Sequence, residues 1–450
     1  MERVGCRDLI ASGSLITFLS CFQAEAGLGF ARLDWETYYL HSNSRPDNTV
    51  ALVFGPDLES TGPHFDYKFE LENYVYVNSP KSFTPESQNA YIATSRQASS
   101  LHQGTFGRRI YDWSVADDFW KLGTWSPRFN WDPLNPETVG NTGLFYSYES
   151  KSWRFLLFGS YINAPERGVP LNSNLTSPSG DWVSPFSQVN LPALNNAQIP
   201  IKYKIVYPPL GDLIFRPSAA FQARYGEKHG AWASVGYAYM PIHQADLLVE
   251  GILPAQSLEV DVSIHPVILM QHLVSVETGI KEENWSLWGS ATREIPILQH
   301  EPATWIQQPM GPSNIFSVGT SAKIDDRLSL SASGLLIEEA LPPVDPGNSL
   351  SLSLPSRFPY RKAIQVGLNL QANDRWNYQM RWIDDITNVS DLISFDVGYH
   401  PNPNPNPKPK PKGDWFIGLG TDVIFSAYKQ GLIGQFNDNN RVRARVAYAF

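Results

Sequence analysis

Hydrophobic and polar residues alternate with a period of two along most of this chain. Because successive side chains of a β-strand point to opposite faces, such alternation indicates strands with one apolar and one polar face. The pattern recurs over residues 65–72, 258–265, 364–371, 376–382, 393–400 and 415–425. A β-sandwich could share this pattern, but it rarely contains so many long strands. The sequence therefore predicts an all-β fold.

The connections between these strands alternate in length, which indicates a closed barrel. Short turns fall at residues 150–152, 227–230, 281–283, 324–326 and 372–374, and longer connections at 164–211, 296–313, 339–360 and 386–390. Short turns on one side and longer loops on the other are typical of transmembrane barrels. We expect a single antiparallel barrel of residues 27–450 with about 18 strands, within a range of 16 to 20.

The C-terminal strand supports this prediction. Arg441, Arg443 and Arg445 share one face, whereas the opposite face is apolar and the chain ends in Tyr448-Ala-Phe450. This ending resembles the assembly signal of Gram-negative outer-membrane β-barrels, although an ordinary edge strand remains the alternative. The resemblance implies an outer-membrane location, contact with membrane lipids and recognition of Tyr448 and Phe450 by the barrel assembly machinery.

The first 26 residues are typical of a secretory signal peptide. Arg3 and Arg7 precede an apolar stretch over residues 9–22, and Ala24-Glu-Ala26 is a small-x-small cleavage site. A buried N-terminal helix and a lipoprotein junction at Cys21 are the alternatives. Both cysteines, Cys6 and Cys21, lie in this segment, so the mature chain would have no thiol for disulfides, metals or nucleophilic catalysis.

Residues 107–141 concentrate aromatic and charged side chains to a degree that is unusual for a solvated loop. Aromatic rings favour burial, and charged neighbours buried with them need partners. A loop folded into the lumen satisfies both, and it resembles the inward loops that narrow many porins. An extracellular cap and a sugar-binding platform are the alternatives. The candidate constriction residues are Arg108, Arg109, Asp112, Trp113, Asp117, Asp118, Trp120, Trp125, Arg128, Trp131 and Asp132.

The predicted lumen wall carries charges of both signs. Its candidates are Arg216, Arg224, Arg381, Arg443, Arg445, Glu259 and Asp261, and we expect the arginines to pair with the 107–141 loop. A strongly selective pore would show one sign at its narrowest point, so the balance favours sugars, zwitterions or a closed interior.

One connection breaks the length rule. Residues 401–412, from Pro401 to Lys412, form a Pro-rich stretch on the side where a tight turn is expected. Such a sequence favours an extended polyproline II conformation. It could contact a periplasmic partner, and an expanded low-complexity turn is the simpler alternative.

Composition changes the picture in two ways. Only 18% of residues are charged, below the usual quarter or so, which fits a wall with a lipid-facing half. The net charge of −9 argues against nucleic acid as a partner.

The sequence carries none of the short motifs of hydrolases, metalloproteases or nucleotide-binding enzymes. We therefore expect neither catalysis nor a metal or other cofactor. The prediction is a channel or export conduit for a polar solute, with secreted polysaccharide as one class, since the chain also resembles 18-stranded polysaccharide exporters. A plugged structural or adhesive barrel that binds a partner through its loops is the alternative.

Overall fold

The computed structural model describes residues 29–39, 48–77, 83–97, 101–168, 201–227, 229–252, 260–298, 306–307, 310–340, 357–401, 414–428, 431–437 and 439–449. Among these residues, strands dominate. Three short helices also occur, Val115–Trp120, Leu210–Ile214 and Gly431–Gln435. No helix in the described part of the chain is both long and apolar enough to cross a membrane.

Eighteen antiparallel strands form one continuous wall. The second, third and fourth strands are each divided into two pieces, for example at Pro56, whose missing N–H cannot join the hydrogen-bond ladder. In chain order the wall strands are Phe30–Tyr38, Asn48–Gly55 with Asp57–Thr61, Phe65–Glu70 with Glu72–Tyr76, Thr84–Glu86 with Ala90–Thr94, His102–Arg109, Asn141–Glu149, Trp153–Ser160, Ser218–Gly226, Gly230–Pro241, Met270–Lys281, Trp285–Ile297, Ser313–Lys323, Leu328–Glu339, Lys362–Gln371, Trp376–Asp385, Ser390–Tyr399, Asp414–Ser426 and Arg441–Ala449.

The first and last strands close the wall into a ring. Each strand pairs with its successor, and Phe30–Tyr38 pairs on its other side with Arg441–Ala449, so that Trp35 lies opposite both Val50 and Ala444. Closure leaves no unpaired edge, as a spanning sheet requires. The prediction of a single antiparallel barrel of about 18 strands is confirmed.

The two ends of the barrel differ in the length of their connections. The turn end, where Phe30 and Ala449 lie, carries the short turns 62–64, 150–152, 227–229, 282–284, 324–327 and 372–375. The opposite loop end carries the long connections 161–217, 242–269, 298–312 and 340–361. The predicted alternation is therefore present. The Pro-rich residues 402–412 lie outside the described residues.

The outward face of the wall is apolar. Leu144 is 62% exposed and Val276 is 55% exposed, which would be costly in water but suits contact with lipid. Aromatic pairs border this belt at the turn end, as in the interfacial girdles of membrane barrels. These pairs are Trp153 with Tyr225, Trp376 with Tyr399 and Trp415 with Tyr448. The barrel is therefore a transmembrane one.

The inward face is divided between two kinds of side chain. In the half nearer the turn end it is polar, as alternation predicts. In the half nearer the loop end it includes Ile315, Leu335, Ile337, Ile383 and Leu392, which are all buried in one apolar cluster. The expectation of a polar interior throughout is wrong, because these strands face packed protein rather than water.

Two small sheets lie apart from the wall. Ile201–Ile205, Asp246–Ile252, Val260–Val267 and Ile306–Gln307 form one of them. In its described part, residues 260–265, the alternating stretch 258–265 therefore belongs to this small sheet and not to the wall. Any half-buried strand shows a period of two, so alternation alone does not distinguish the two. The second sheet joins Arg128–Asn130 to Glu137–Thr138 and Arg167–Gly168.

The apolar belt predicts where a charge destabilises the barrel. We expect Val276→Arg, in the middle of Met270–Lys281, to lower the free energy of unfolding by about 2–4 kcal/mol, because the guanidinium would face hydrocarbon. Asn369→Arg, on an inward and exposed position, is the matched control and should cost less than about 1 kcal/mol. Urea unfolding in liposomes, followed by heat-modifiable gel migration, measures both. Equal losses would contradict the assignment of the two faces.

An inserted segment in the barrel interior

Residues 110–140, called the inserted segment below, connect two neighbouring wall strands, His102–Arg109 and Asn141–Glu149. The segment contacts inward-facing side chains on distant parts of the ring. Trp120 Nε1 donates to Ser317 Oγ at 3.1 Å and to Ser333 Oγ at 3.0 Å, and Gln222 Nε2 donates to the Trp113 carbonyl at 2.6 Å. A segment that reaches the inner face on several sides of a closed ring lies within that ring.

Glu277 fixes the start of the segment. Its buried carboxylate accepts from Ser114 Oγ at 2.7 Å, from the Val115 N–H at 3.0 Å and from Ser290 Oγ at 3.0 Å. Ser114 is also the N-cap of helix Val115–Trp120. The carboxylate thus accepts a hydrogen bond from a helix N–H group that has no acceptor within the helix.

Asp117 shapes the turn after this helix. One of its carboxylate oxygens accepts from Thr124 N at 2.9 Å and from Thr124 Oγ1 at 2.7 Å, and the other accepts from Trp125 N at 3.1 Å. Lys121 ends the helix with a positive φ of 51°. Next to Asp117, burial and then the neighbouring Asp117 carboxylate raise the pKa of Asp118 to about 7.

The aromatic residues of the segment fill the interior. Trp113 and Trp125 stack with ring centroids 5.7 Å apart, and Trp120 belongs to the loop-end apolar cluster. Trp131 packs between Tyr74 at 4.8 Å and Tyr76 at 4.7 Å. Each large ring buries much apolar area. These rings and the wall side chains around them therefore form an apolar core inside the barrel.

The arginines of the segment and its flanks are paired. Arg108 Nη1 binds Glu86 at 2.7 Å, and Arg128 binds Glu166 through Nε at 3.0 Å and Nη2 at 2.8 Å. The Arg109 guanidinium lies 4.5 Å from the ring centre of Tyr91. These residues hold the segment and its neighbouring loops in place.

A network around Arg441, called the Arg441 cluster, joins the segment to the closing strands. Arg441 is 0% exposed, and it binds Glu36 at 3.1 Å, Asp422 at 2.7 Å and Asp132 of the segment. A fully buried cation requires such partners. Arg443 extends the network, because it binds Asp422 at 3.1 Å.

One of the predicted wall arginines contacts the segment, as expected, and three have other partners. Arg381 contacts the segment through the Leu134 carbonyl, at 2.9 Å. Arg443 and Arg445 instead bind the wall carboxylates Asp396 at 3.0 Å and Asp34 at 2.8 Å. The Arg224 guanidinium lies 4.1 Å from the ring centre of Trp232.

Two of the predicted wall residues are not on the wall. Arg216 lies two residues before strand Ser218–Gly226 and donates to the Asp212 carbonyl at 2.7 Å. Asp261 belongs to the small sheet of Val260–Val267. Glu259 and the C-terminal Phe450 lie outside the described residues. Asp112 is exposed, 3.8 Å from Arg154.

Sequence reasoning missed a second buried ion network near the loop end. Arg357 pairs with Glu294 and lies 3.9 Å from Glu339, which also binds Arg361 at 2.8 Å. Arg357 follows a long connection, so no local pattern points to it. Within the described residues, no group of three or more histidine, cysteine, aspartate or glutamate side chains could hold a metal ion.

Two adjoining cavities remain beside the segment. The vestibule, of about 760 Å³, is bordered by the turns at 281–286 and 325–327 and therefore opens at the turn end. The inner cavity, of about 330 Å³, runs between Phe129–Glu137 and the first and last wall strands. Asn135, Gln379 and Asp396 line both. Near the loop end, a cavity beside Arg357 has only about 20 Å³.

No family model matches the chain, and no curated protein matches it. Several solved structures are similar over nearly its whole length. OccAB1 of Acinetobacter baumannii has 12% identity, with 95% of this chain and 99% of that chain covered and a TM-score of 0.46. OccK10 (OpdN) of Pseudomonas aeruginosa has 12% identity, coverages of 94% and 99%, and a TM-score of 0.44.

Wzi of Escherichia coli, described as an outer-membrane carbohydrate-binding β-barrel involved in group 1 capsule assembly, has 11% identity, coverages of 97% and 86%, and a TM-score of 0.43. Likenesses this distant carry no argument about function, and the fold rests on the strand pairing itself. The closed antiparallel wall, its apolar belt and its aromatic girdle define a Gram-negative outer-membrane β-barrel. No closer family is assigned.

The raised pKa of Asp118 predicts a pH dependence of stability. The folded protein keeps a proton on Asp118 up to about pH 7, whereas an unfolded chain releases it near pH 4. The stabilisation that protonated Asp118 gives the folded state is thus fully present below pH 4 and is lost as the pH rises through 7. Between these values, the free energy of unfolding falls by about 1 kcal/mol per pH unit. The urea concentration at the midpoint of unfolding should therefore fall between pH 4.5 and 7.5. In Asp118→Asn this fall should be smaller, because asparagine does not titrate.

Asp112→Asn is the matched control, because the Asp112 side chain is 78% exposed on the same segment. This variant should keep the wild-type slope. An Asp118→Asn variant with an unchanged slope would contradict the placement of this carboxyl inside the barrel.

Proposed function

We propose that the protein is an outer-membrane conduit for polar solutes that the inserted segment closes in this conformation. The mechanism is passive: the wall excludes lipid, and the segment sets the size and charge of what passes. The observation that supports this proposal is the cavity path, which begins in the vestibule and continues beside the segment as far as the Arg441 cluster.

Two arginines of the wall bind the closed end of this path. At the inner cavity the segment is held by Asp132, through Arg441, and by the Leu134 carbonyl, through Arg381. Displacement of residues 129–137 would extend the cavity toward the loop end. We therefore assign the narrowing to Trp131, Asp132 and Asn135, and a holding role to Arg108, Asp117 and Arg128.

Secreted polysaccharide is the finer proposal for the solute. The vestibule has a volume of about 760 Å³ and carries no single dominant charge sign at its rim. The same proposal includes recognition of Phe450 by the assembly machinery, cleavage of residues 1–26 and docking of a periplasmic partner at residues 401–412. Deletion of the gene should then reduce secreted polysaccharide.

A second candidate is a plugged structural or adhesive barrel that binds a partner through its loops. The apolar cluster of Ile315, Leu335, Ile337 and their neighbours favours it. Such a cluster inside the loop-end half excludes water, and opening a path through it would cost about 25 cal/mol for each Å² of apolar surface exposed. The conduit proposal limits this cost, because its path ends beside charged residues of the Arg441 cluster.

Planar-bilayer conductance separates the two candidates. We expect the wild-type protein to be closed most of the time, and Asp132→Asn to open it more often. This isosteric change can keep an acceptor for the Leu134 N–H, but it replaces the oxygen that Arg441 and Asn135 contact with an NH2 group and so weakens the pair with Arg441. Deletion of residues 115–139 should give a large, permanently open conductance.

Asp34→Asn is the matched control. It also removes a carboxylate from the inner cavity, but Asp34 pairs with Arg32 and Arg445 on the wall and not with the segment. Its gating should equal that of the wild type. If Asp132→Asn and a correctly folded deletion variant both remain silent, conduction is rejected in favour of the plugged barrel.

A further inference from the structure

The mouth of the vestibule carries charges of both signs, on Lys281, Glu282, Glu283 and Arg327. Away from the mouth, its free side chains are amides and hydroxyls. Ser329, Asn369 and Gln379 lie directly opposite one another on three adjacent strands, all facing inward. Ser331 occupies the next inward position after Ser329, and Gln365 lies two inward positions from Asn369, beyond Gly367. Among the hydrogen bonds of the described residues, none involves the side chain of any of these five. Each amide offers both a donor and an acceptor.

The charged groups deeper in the cavity already have partners. Arg381 donates to the Leu134 carbonyl at 2.9 Å and to Asn135, and Asp396 binds Arg443 at 3.0 Å. At the mouth, Lys323 binds Asp326 at 2.7 Å. What the cavity offers to a ligand is therefore neutral hydrogen bonding rather than a net charge.

An aromatic ring lines the inner cavity, which shares Gln379 with the vestibule. Phe416 extends along the wall over Gly398 and Gly418, which face each other on adjacent strands. A Cβ atom at Gly398 would lie 2.9 Å from the ring, and one at Gly418 would lie 3.0 Å from it. Only glycine leaves room for this ring position. The half-buried ring borders the inner cavity, which Asn377 and Gln379 also line.

We propose that the vestibule binds an uncharged carbohydrate chain. Sugar hydroxyls would exchange hydrogen bonds with Asn369, Gln379 and the serines, and the apolar face of a sugar ring would pack on Phe416. Adjacent strands are about 4.8 Å apart, so the row of opposed polar side chains presents a regular series of contacts to an extended ligand. The inference deepens the proposed conduit by naming its solute class, but binding itself requires no conduction.

The test is isothermal titration calorimetry on the purified full-length protein in detergent. The probes are three uncharged linear hexasaccharides, maltohexaose, cellohexaose and chitohexaose, together with sulfated dextran as a charged comparison. We expect at least one uncharged probe to bind, and Asn369→Leu, Gln379→Leu and Phe416→Leu each to weaken it about tenfold, the loss expected for one hydrogen bond or ring contact.

Asn314→Leu is the matched control, because it makes the same substitution on the outward face near the loop end, beside Arg293. It should bind like the wild type. Heat-modifiable migration confirms that each variant is folded. The proposal is overturned if no uncharged probe binds, if only sulfated dextran binds, or if the folded vestibule variants bind like the wild type.

The outcomes also separate this inference from the conduit. Sugar binding by a protein that stays silent in bilayers would leave the binding site standing and reject conduction. Conductance without sugar binding would reject the binding site and leave the conduit standing.

Discussion

Backbone hydrogen bonding in hydrocarbon is the constraint on which the rest of this structure depends. No water is present there to satisfy an unpaired N–H or C=O group, so the sheet has to close. Pairing of Phe30–Tyr38 with Arg441–Ala449 meets this requirement, and it brings the two ends of the chain together. The same pairing places Glu36 beside Arg441, where it becomes part of the network that reaches the inserted segment.

Closure of so many strands creates an interior that side chains of the wall alone do not fill. The inserted segment fills much of it, with Trp113, Trp120 and Trp125 packed against the wall and with Glu277 bound to the helix start. The buried Asp117, Arg128 and Arg441 have partners there, as burial requires. The space that remains empty is the path from the vestibule to the Arg441 cluster.

The sequence predicted the barrel more completely than it predicted the interior. Alternation and connection length depend on neighbouring residues, and together they led to 18 strands. Alternation also assigned residues 258–265 to the wall, since a strand of a small separate sheet has the same period of two. Arg441 escaped the site prediction because its partners Glu36 and Asp132 are 405 and 309 residues away in sequence. The apolar inward residues, such as Leu335, gave no local sign that they face packed protein.

The position of the inserted segment inside the ring is the central claim, and a cross-link tests it most directly. Ser114 and Ser290 both donate to the same Glu277 oxygen, although the first is on the segment and the second on the wall. The chain contains only two cysteines, Cys6 and Cys21, which are replaced by serine beforehand. In the Ser114→Cys, Ser290→Cys protein, a short bifunctional thiol reagent should join the two tryptic fragments within one chain. Free fragments from the folded barrel would contradict the account.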